Sequence, residues 1–308
     1  MRADALRTVT RPAMGADVTI TTDASPIAVE AALAVVATLE RRWTRFDPES
    51  ELSRINDAAG PAVARPSTAR VVEMALAGRS FTDGWFDPTR GRQIEAAGYR
   101  DSLEHGWSEP ADPAHSAGDV DVDGASGLID VPSDLAIDLG GIVKGWTADM
   151  ATGLLADAGA SHAGVSIGGD LRIRSRTRAI AEIEAPDPTR AAPPALVALR
   201  DGGVAVSGPT KRRAGDGRHH LIDPTTGRPA SCPRVAVVVA ATSAGAEMLA
   251  TAASVAPQDA AVRILERAGA TAWLVEADGR LTTIGTPERF MLEAGWLGAP
   301  SQRAWSTT

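Results

Sequence analysis

The chain has a single cysteine, Cys232, and this scarcity excludes an internal disulfide and a metal cluster built from several cysteines. Long apolar runs are also lacking, since the longest, residues 235–241, is far too short to span a bilayer as a helix. There is no excess of basic residues, because the chain has 31 Lys and Arg but 39 Asp and Glu, which gives a formal net charge of −8. This balance argues against sequence-independent binding of nucleic acid, which needs a positive surface.

A polyanionic small ligand is still compatible with this charge if a metal ion or local basic groups offset the repulsion. The first residues, MRADALRTVTRPAMG, contain no apolar segment of the kind found in secretory signals, so we expect a cytoplasmic location. The 308 residues suffice for a substantial core, and 44% hydrophobic and 23% charged residues are ordinary for a globular protein.

The spacing of apolar residues predicts the helices and strands. The predicted helices are residues 26–43, 67–81, 144–158, 244–255 and 258–268. The predicted strands are residues 17–22, 163–167, 171–174, 179–184, 196–200, 204–207 and 235–241, followed by a hairpin of 273–276 and 280–284. Proline and glycine predict loops and short strands over residues 84–134 and an exposed connection over 185–194. The mixed order favours an α+β fold, which we treat as a single domain over residues 1–308.

The segment IDLGGIVKG, residues 137–145, joins a predicted strand to a predicted helix. Gly140 and Gly141 let a ligand approach the backbone closely, and Lys144 places a cation near the helix start, where free N–H groups favour an anion. Asp138 adds an acceptor, so the segment suits a phosphate or a nucleotide. A plain strand–turn–helix junction with a solvated lysine is the alternative, because the pattern is neither a Walker A motif nor GxGxxG.

A second motif is SAGAEMLATAA, residues 243–253, within a predicted helix. Glu247 and Thr251 are four residues apart and share one helix face, where a carboxylate and a hydroxyl can offer two oxygen ligands to magnesium. The alternative is a helix of small residues packed on the core with Glu247 exposed, and the local pattern favours this alternative.

A third motif is HHLIDPTTG, residues 219–227, in which Asp-Pro-x-x-Gly predicts a turn. A histidine directly before such a turn can act as a general base or hold a phosphate, and surface histidines beside a capped turn are the alternative. Met14, ahead of the first predicted strand, can lie against a flat aromatic ligand, although core filling is the more usual role of a methionine.

Taken in order, these segments resemble the ApbE family, the FAD:protein FMN transferases. The matching segments are Met14-Gly15, SELSRIN (50–56), FDPT (86–89), AAGY (96–99), DLGGIVKG (138–145), SIGGD (166–170), VSG (206–208), HHLIDPTTG (219–227) and AEMLATAA (246–253). The resemblance covers about residues 12–256, and a helix and hairpin in residues 257–308 would complete the fold. It implies an α+β fold of two related subdomains with FAD bound in the cleft between them.

The resemblance also implies a set of site residues. Those implied to contact FAD are Met14, Ala97, Gly98, Tyr99, Asp138, Lys144, His220, Leu221 and Ile222. The implied Mg²⁺ ligands are the backbone carbonyl of Gly141 and the side chains of Glu247 and Thr251. FMN would pass from FAD to a Thr or Ser hydroxyl of an acceptor protein with AMP as the leaving group, and His220 is the candidate for handling the hydroxyl proton. A homodimer is compatible with the sequence, whereas nucleic-acid binding and stable membrane insertion are not expected.

The chain departs from the family pattern at three places. Glu247 stands where Asp is usual, which moves the carboxylate by about one C–C bond at a metal that demands strict geometry. Arg90 follows FDPT where an apolar residue is usual, and residues 209–213 lack the acidic and aromatic residues usual there. Two alternatives therefore stay open. One is an FAD pyrophosphatase, in which water replaces the protein hydroxyl and FMN and AMP are released, and the other is an FAD-binding protein without catalysis.

Overall fold

The computed structural model describes residues 6–100, 107–112, 118–185, 193–210, 213–231 and 234–297. Its helices are α1 (Pro26–Trp43), α2 (Glu51–Asn56), α3 (Pro66–Phe81), α4 (Gly91–Ala96), α5 (Val143–Asp157), α6 (Ser243–Val255), α7 (Gln258–Arg267) and the short α8 (Pro287–Phe290), with a 3-10 turn at Gly295–Leu297. Within the described ranges, no helix combines the length and the apolar character needed to cross a membrane.

Most of the strands form one large antiparallel sheet. The strands are β1 (Arg7–Ala13), β2 (Ala16–Thr22), β3 (Ala62–Val63), β4 (Asp121–Asp123), β5 (Leu128–Asp130), β6 (His162–Ile167), β7 (Asp170–Ile183), β8 (Ala195–Ser207), β9 (Ile222–Asp223), β10 (Arg228–Pro229), β11 (Val235–Ala240), β12 (Thr271–Val275), β13 (Leu281–Ile284) and β14 (Met291–Glu293). The nine-stranded sheet has the order β1-β2-β6-β7-β8-β11-β12-β13, with β14 beside β8. Strands β3, β5 and β4 form a small second sheet, and β9 and β10 form a third.

Side-chain caps fix the starts of three helices. Ser25 accepts a hydrogen bond from the Ala28 N–H at 3.3 Å before α1, and Ser50 accepts one from the Ser53 N–H at 3.0 Å before α2. Thr242 accepts one from the Gly245 N–H at 3.1 Å before α6. Each cap satisfies a donor that the first turn of a helix leaves without an intrahelical partner.

Each half of the large sheet carries a pair of helices. Helices α1 and α5 pack on β2 and β6 through a cluster that includes Val36, Leu155 and Val165. Helices α6 and α7 pack on β8, β11 and β12 through a second cluster, in which alternate residues of β11 face the helices. The two helix pairs meet where α5 packs against α6. This arrangement confirms the α+β fold, with two halves of similar layout.

All five predicted helices are confirmed to within one residue at each end. The predicted strands 171–174 and 179–184 are wrong as separate strands, since they form the single strand β7, and 196–200 and 204–207 form the single strand β8. The residues between Arg174 and Ala179 are polar and mostly exposed, so the apolar pattern is interrupted there while the chain stays extended across a register shift.

The elements that were not predicted include β1, α2 and α4. Strand β1 is an edge strand of mostly exposed polar residues, and Pro12 is tolerated there because an edge strand needs fewer donors. Helices α2 and α4 have only six residues each, too few for a helical pattern to be visible. Residues 186–192 of the predicted connection and 298–308 of the predicted C-terminal segment lie outside the described residues.

Candidate active site

A cavity of about 500 Å³ lies where segments far apart in the sequence meet, and its volume is typical of a small-molecule site. The β1–β2 turn, the end of α1, the loop before α4, the turn before α5 and α6 all contribute to its wall. The aromatic side chains that line this main cavity are Trp43, Phe46, Trp85, Phe86 and Tyr99. The charged side chains and the histidine that line it are Glu40, Arg45, Asp87, Arg90, Asp138, Lys144 and His220.

Met14 and Gly15 form the two-residue turn of the β1–β2 hairpin, with φ of 57° and 65°. A positive φ is uncommon for a residue other than glycine, so the surroundings must hold Met14 in place. Its N–H donates to the carboxylate of Glu40 on α1. Both turn residues line the main cavity, but Met14 follows a strand here, and its predicted place ahead of the first strand is wrong.

The Gly-Gly turn before α5 brings its backbone close to two other segments. A Cβ on Gly141 would lie 2.9 Å from the Phe86 ring and 3.2 Å from the Thr251 hydroxyl, so only glycine fits without displacing them. Asp138 accepts a hydrogen bond from the Gly140 N–H at 2.7 Å through one carboxylate oxygen. The turn is therefore rigid, and it lies against Thr251 of α6.

Lys144, in the first turn of α5, lies between two buried carboxylates. Its ammonium donates to both Asp170 and Glu247, and the second Glu247 oxygen accepts a hydrogen bond from the Gly145 N–H at 2.8 Å. Glu247 is only 4% exposed. The alternatives with a solvated lysine and with an exposed Glu247 are therefore both wrong.

Burial controls the electrostatics of this cluster. Loss of solvation raises the pKa of Glu247 to about 7, the charge of Asp170 acts in the same direction, and Lys144 opposes both. With both carboxylates ionised, the three side chains carry one net negative charge. The cluster is therefore better suited to receive a second cation than an uncompensated anion.

Arg45 joins three segments of the main cavity. Its Nε donates to the second carboxylate oxygen of Asp138 at 2.8 Å, and its Nη2 donates to the carbonyl of Tyr99. The guanidinium carbon lies 4.4 Å from the centre of the Phe46 ring and 4.8 Å from that of Tyr99, within the range of a cation–π interaction. The Tyr99 ring also stacks on Trp107 with their centres 5.2 Å apart. Arg45 thus fixes the orientation of Asp138 and of two aromatic side chains.

The two histidines occupy different environments. His219 is buried, its Nε2–H donates to the Ala230 carbonyl at 3.0 Å, and burial lowers its pKa from the usual 6.5. His220 is partly buried and lines the cavity. The alternative of two surface histidines is wrong, whereas the turn is confirmed by the hydrogen bond of 2.8 Å from the Gly227 N–H to the Asp223 carbonyl.

A second cavity, of about 280 Å³, adjoins the first, and we call it the side chamber. The residues that line it are Gly15, Ala16, Gly140, Lys144, Gly168, Asp170, Val206, Ser207, Gly208, His220, Glu247, Ala250 and Thr251. Those shared with the main cavity are Gly15, Gly140, Lys144, His220 and Thr251. Lys144 and His220 therefore stand at the boundary between the two spaces.

The structure brings together most of the residues that the sequence singled out. Those lining the main cavity are Met14, Tyr99, Asp138, Gly141, Lys144, His220, Leu221, Ile222 and Thr251. Glu247 lines the side chamber. Ala97 and Gly98 line neither cavity, because the AAGY turn directs their carbonyls to Arg218 and Ser108, at 2.7 and 2.8 Å. Ligand contacts from these two residues stay a prediction.

Sequence reasoning missed Arg45 and Asp170 as site residues. Asp170 ends the SIGGD segment, and a carboxylate after two glycines at a strand end was a usable signal. Arg45 carried no such signal, because its importance comes from Asp138 and Tyr99, which are distant in the sequence. Lys211 and Arg212, in the loop that departs from the family pattern, lie outside the described residues.

Comparisons of the sequence with known proteins identify the family. The sequence profile of the ApbE family matches residues 14–274. The chain is 28% identical over 215 residues to an FAD:protein FMN transferase of Vibrio cholerae, and the match covers 64% of this chain and 64% of the relative, just under two thirds of its length. A protein of the same name from Treponema pallidum is 29% identical over 262 residues, which is 76% of this chain and 72% of the relative.

Solved structures share the fold. The crystal structure of the ApbE protein of Thermotoga maritima superposes with a TM-score of 0.84 and 26% identity, over 94% of this chain and all (100%) of the other. The flavin transferase ApbE of Vibrio cholerae superposes with a TM-score of 0.75 over 93% of this chain and 99% of the other. At 21% identity, the second likeness concerns the fold alone.

Proposed function

This chain belongs to the ApbE family, and we propose that it is an FAD:protein FMN transferase, which moves FMN from FAD to a Thr or Ser hydroxyl of an acceptor protein and releases AMP. One observation carries the proposal: the cavity with the aromatic side chains also contains Lys144, whose two carboxylate partners line the adjoining side chamber. FAD has the same dual character, since it consists of flat rings joined through a charged pyrophosphate.

The aromatic lining is the part of the cavity that suits the rings of FAD. The exposed Phe46 ring offers a surface for stacking, the buried Tyr99 and Trp43 rings give the wall an apolar character, and Met14 adds a polarisable side chain at the hairpin turn. Asp138 is held by Arg45 and Gly140 at separate oxygens, each of which keeps capacity for a further donor from the ligand. These residues would bind and orient the flavin.

The residues around Lys144 fit a magnesium ion. Glu247, Thr251 and Asp170 line the side chamber, and the Gly141 backbone lies against the Thr251 hydroxyl, so these residues would supply oxygen ligands from neighbouring positions. Hard oxygen donors in small number, with positions left for phosphate and water, are typical of Mg²⁺ sites. With Glu247 and Asp170 both ionised, the Lys144 cluster has a net negative charge, and the pyrophosphate would then also need an added cation in order to bind there. Bound Mg²⁺ would neutralise charge on the pyrophosphate and polarise its P–O bonds.

The proposed step is a displacement at phosphorus. The acceptor hydroxyl oxygen forms a bond to the FMN phosphorus, the bond from that phosphorus to the bridging oxygen breaks, and AMP leaves with the electron pair. His220, at the boundary of the two cavities, would take the hydroxyl proton. Lys144 would hold the phosphate oxygens by charge, while Asp170 and Glu247 hold its ammonium in position.

The test combines purified protein, FAD and a threonine-bearing acceptor domain, with Mg²⁺ or with a chelator. We expect covalent flavin on the acceptor, seen as fluorescence in a denaturing gel, and one AMP for each flavin transferred, both only with Mg²⁺. Thr251→Val should reduce transfer at least tenfold, since it replaces the hydroxyl by a methyl group of similar size, and Thr251→Ser should restore much of it. The Glu247→Ala variant is also measured, and Glu266→Ala, which removes an exposed carboxylate of α7, is its control.

Each of the other outcomes would support a different function for this protein. Equal amounts of AMP and free FMN, formed without acceptor and lost in Glu247→Ala, would show an FAD pyrophosphatase. Tight FAD binding that ignores Mg²⁺ and never yields AMP would show a flavin-binding protein without catalysis. Failure to bind FAD at all would exclude the use proposed for the main cavity.

A further inference from the structure

The side chamber gives the Lys144 cluster a second approach, separate from the main cavity. Its wall includes Lys144, His220 and Thr251, which also line the main cavity. Gly15 and Gly140 are both exposed and both belong to its lining, so the chamber is reached from the protein surface. A molecule in the side chamber would therefore lie next to whatever occupies the charged part of the main cavity.

The volume of the chamber argues against water as its intended occupant. A water molecule takes about 30 Å³ in the liquid, whereas the chamber measures about 280 Å³. An attacking water would need only a small gap beside the phosphate. The space is large enough for part of a polypeptide segment.

The charges in the chamber argue against a second anion, such as AMP or another phosphate. Among the described residues that line it, Lys144 is the only lysine or arginine, and Asp170 and Glu247 both line it as well. The ammonium is paired with both carboxylates and would also face the phosphate of FAD, so a second anion in the chamber would meet negative charge that Lys144 does not compensate. A neutral hydroxyl group meets no such repulsion.

The wall of the chamber is built from small residues. Ala16, Gly168 and Gly208 leave room for a backbone to approach, and Gly168 has φ of 59°, where a larger residue would be strained. A Cβ on Gly168 would also lie 3.0 Å from the Ala16 Cβ, so these two positions keep the chamber open. The small side chains in this wall leave the chamber wide enough for a segment of backbone.

We infer that the side chamber receives the hydroxyl-bearing segment of the acceptor protein, and that its occupation decides between transfer to protein and hydrolysis. The inference rests on the proposed function. A seated segment places its hydroxyl beside His220 and excludes the water that would otherwise attack the same phosphorus. An empty chamber admits water, and FAD is then split to FMN and AMP.

The test measures partition between two small alcohols that differ in size, with N-acetylthreonine methylamide and methanol as probes. Wild-type protein with FAD and Mg²⁺ should form FMN esters of both, quantified by mass spectrometry alongside free FMN. In Ala16→Leu, which fills part of the chamber, the ratio of threonine ester to methyl ester should fall at least tenfold. Ala13→Leu is the matched control, because Ala13 pairs with Ala16 across the hairpin but lines neither cavity.

A second variant guards against misfolding of the first. Ser207→Leu narrows the chamber from β8 and should lower the same ratio, with FAD affinity followed by flavin fluorescence in both variants. An unchanged ratio in whichever variant binds FAD would overturn the inference, and so would a wild-type protein that forms the methyl ester but no threonine ester. Absence of AMP from wild-type protein under every condition would instead contradict the proposed function.

Discussion

Arg45 shows how much of this site depends on one side chain that no motif contains. It is a buried cation whose side chain is only 8% exposed, and it bonds to Asp138 and to the Tyr99 carbonyl. An ion pair removed from water in this way is strongly destabilising when one partner is lost, because the other charge stays buried without compensation.

Arg45→Met should therefore lower the free energy of unfolding by about 2–3 kcal/mol and weaken FAD binding about tenfold. Denaturation in urea and titration with FAD measure the two effects. Arg263→Met removes the exposed pair with Asp259, whose side chains are 65% and 71% exposed, and should cost at most about 0.5 kcal/mol. An equal loss of unfolding free energy in the two variants would contradict the role given to Arg45.

His219 should make stability depend on pH. Burial depresses its pKa in the folded protein, so below the unfolded value of 6.5 the unfolded chain binds more protons than the folded one. Its contribution to stability is thus complete above pH 6.5 and is lost as the pH falls toward the lower folded pKa. His219→Gln keeps a donor for Ala230 but does not titrate.

The urea midpoint of wild-type protein should fall more steeply between pH 7.5 and 5 than that of His219→Gln, while the difference between the two stays constant above pH 8. Groups common to both proteins cancel in this comparison. Parallel curves over the whole range would show that His219 is not buried as a neutral group.

At the level of elements, the crossing of α5 and α6 positions the charged cluster. Helix α5 carries Lys144 and α6 carries Glu247, and Gly145 lies at their closest contact. A Cβ on Gly145 would lie 2.4 Å from the Ser243 carbonyl oxygen and 2.6 Å from the Ala244 nitrogen, both backbone atoms that cannot rotate away. Asp149 of α5 caps the same end of α6 by accepting from the Ser243 and Ala244 N–H groups at 2.9 and 3.0 Å.

Gly145→Ala should therefore separate the two helices, lower the free energy of unfolding by at least about 2 kcal/mol, and weaken FAD binding in the presence of Mg²⁺. Gly153→Ala, on the same helix, is the matched control. No atom lies within 4 Å of its Cβ position, so it should stabilise the protein by about 0.5–1 kcal/mol through higher helix propensity. Thermal unfolding of both variants measures this difference in stability. A similar effect of the two substitutions would contradict the role given to Gly145.

At the level of the whole molecule, one sheet runs through both halves and the cavity draws on both. Strands β2 and β6 belong to one half and β11 and β12 to the other, yet all lie in the same ladder through β7 and β8. Since the wall of the cavity needs residues from both halves, we propose that residues 1–308 fold as one domain.

Calorimetry should accordingly show one unfolding transition. FAD at about one hundred times its dissociation constant should stabilise the folded state by about 2.7 kcal/mol and raise the whole transition by about 5 °C. FMN and AMP, each of which fills part of the cavity, should have smaller effects. Two transitions, of which FAD moves only one, would show that the halves unfold independently.

Much of the fold was visible in the sequence because helices and buried strands leave periodic apolar patterns. The five long helices and strand β11 were predicted closely, and the glycine pair, Lys144 and the Glu247–Thr251 spacing indicated a phosphate and metal site. The continuity of β7 and β8 was not predicted, since polar exposed residues interrupt the apolar pattern while the chain stays extended across a register shift.

The sequence by itself determined the helices, the α+β class, the resemblance to one family and nine of the residues that line the main cavity. Only the tertiary structure decided that Glu247 is buried against Lys144 beside Asp170, that Arg45 holds Asp138, and that Ala97 and Gly98 face away from the cavity. The physical reason is that burial and charge pairing arise between segments far apart in the chain. Local patterns record which element a residue belongs to, whereas the pairing of those elements fixes its solvation and its partners.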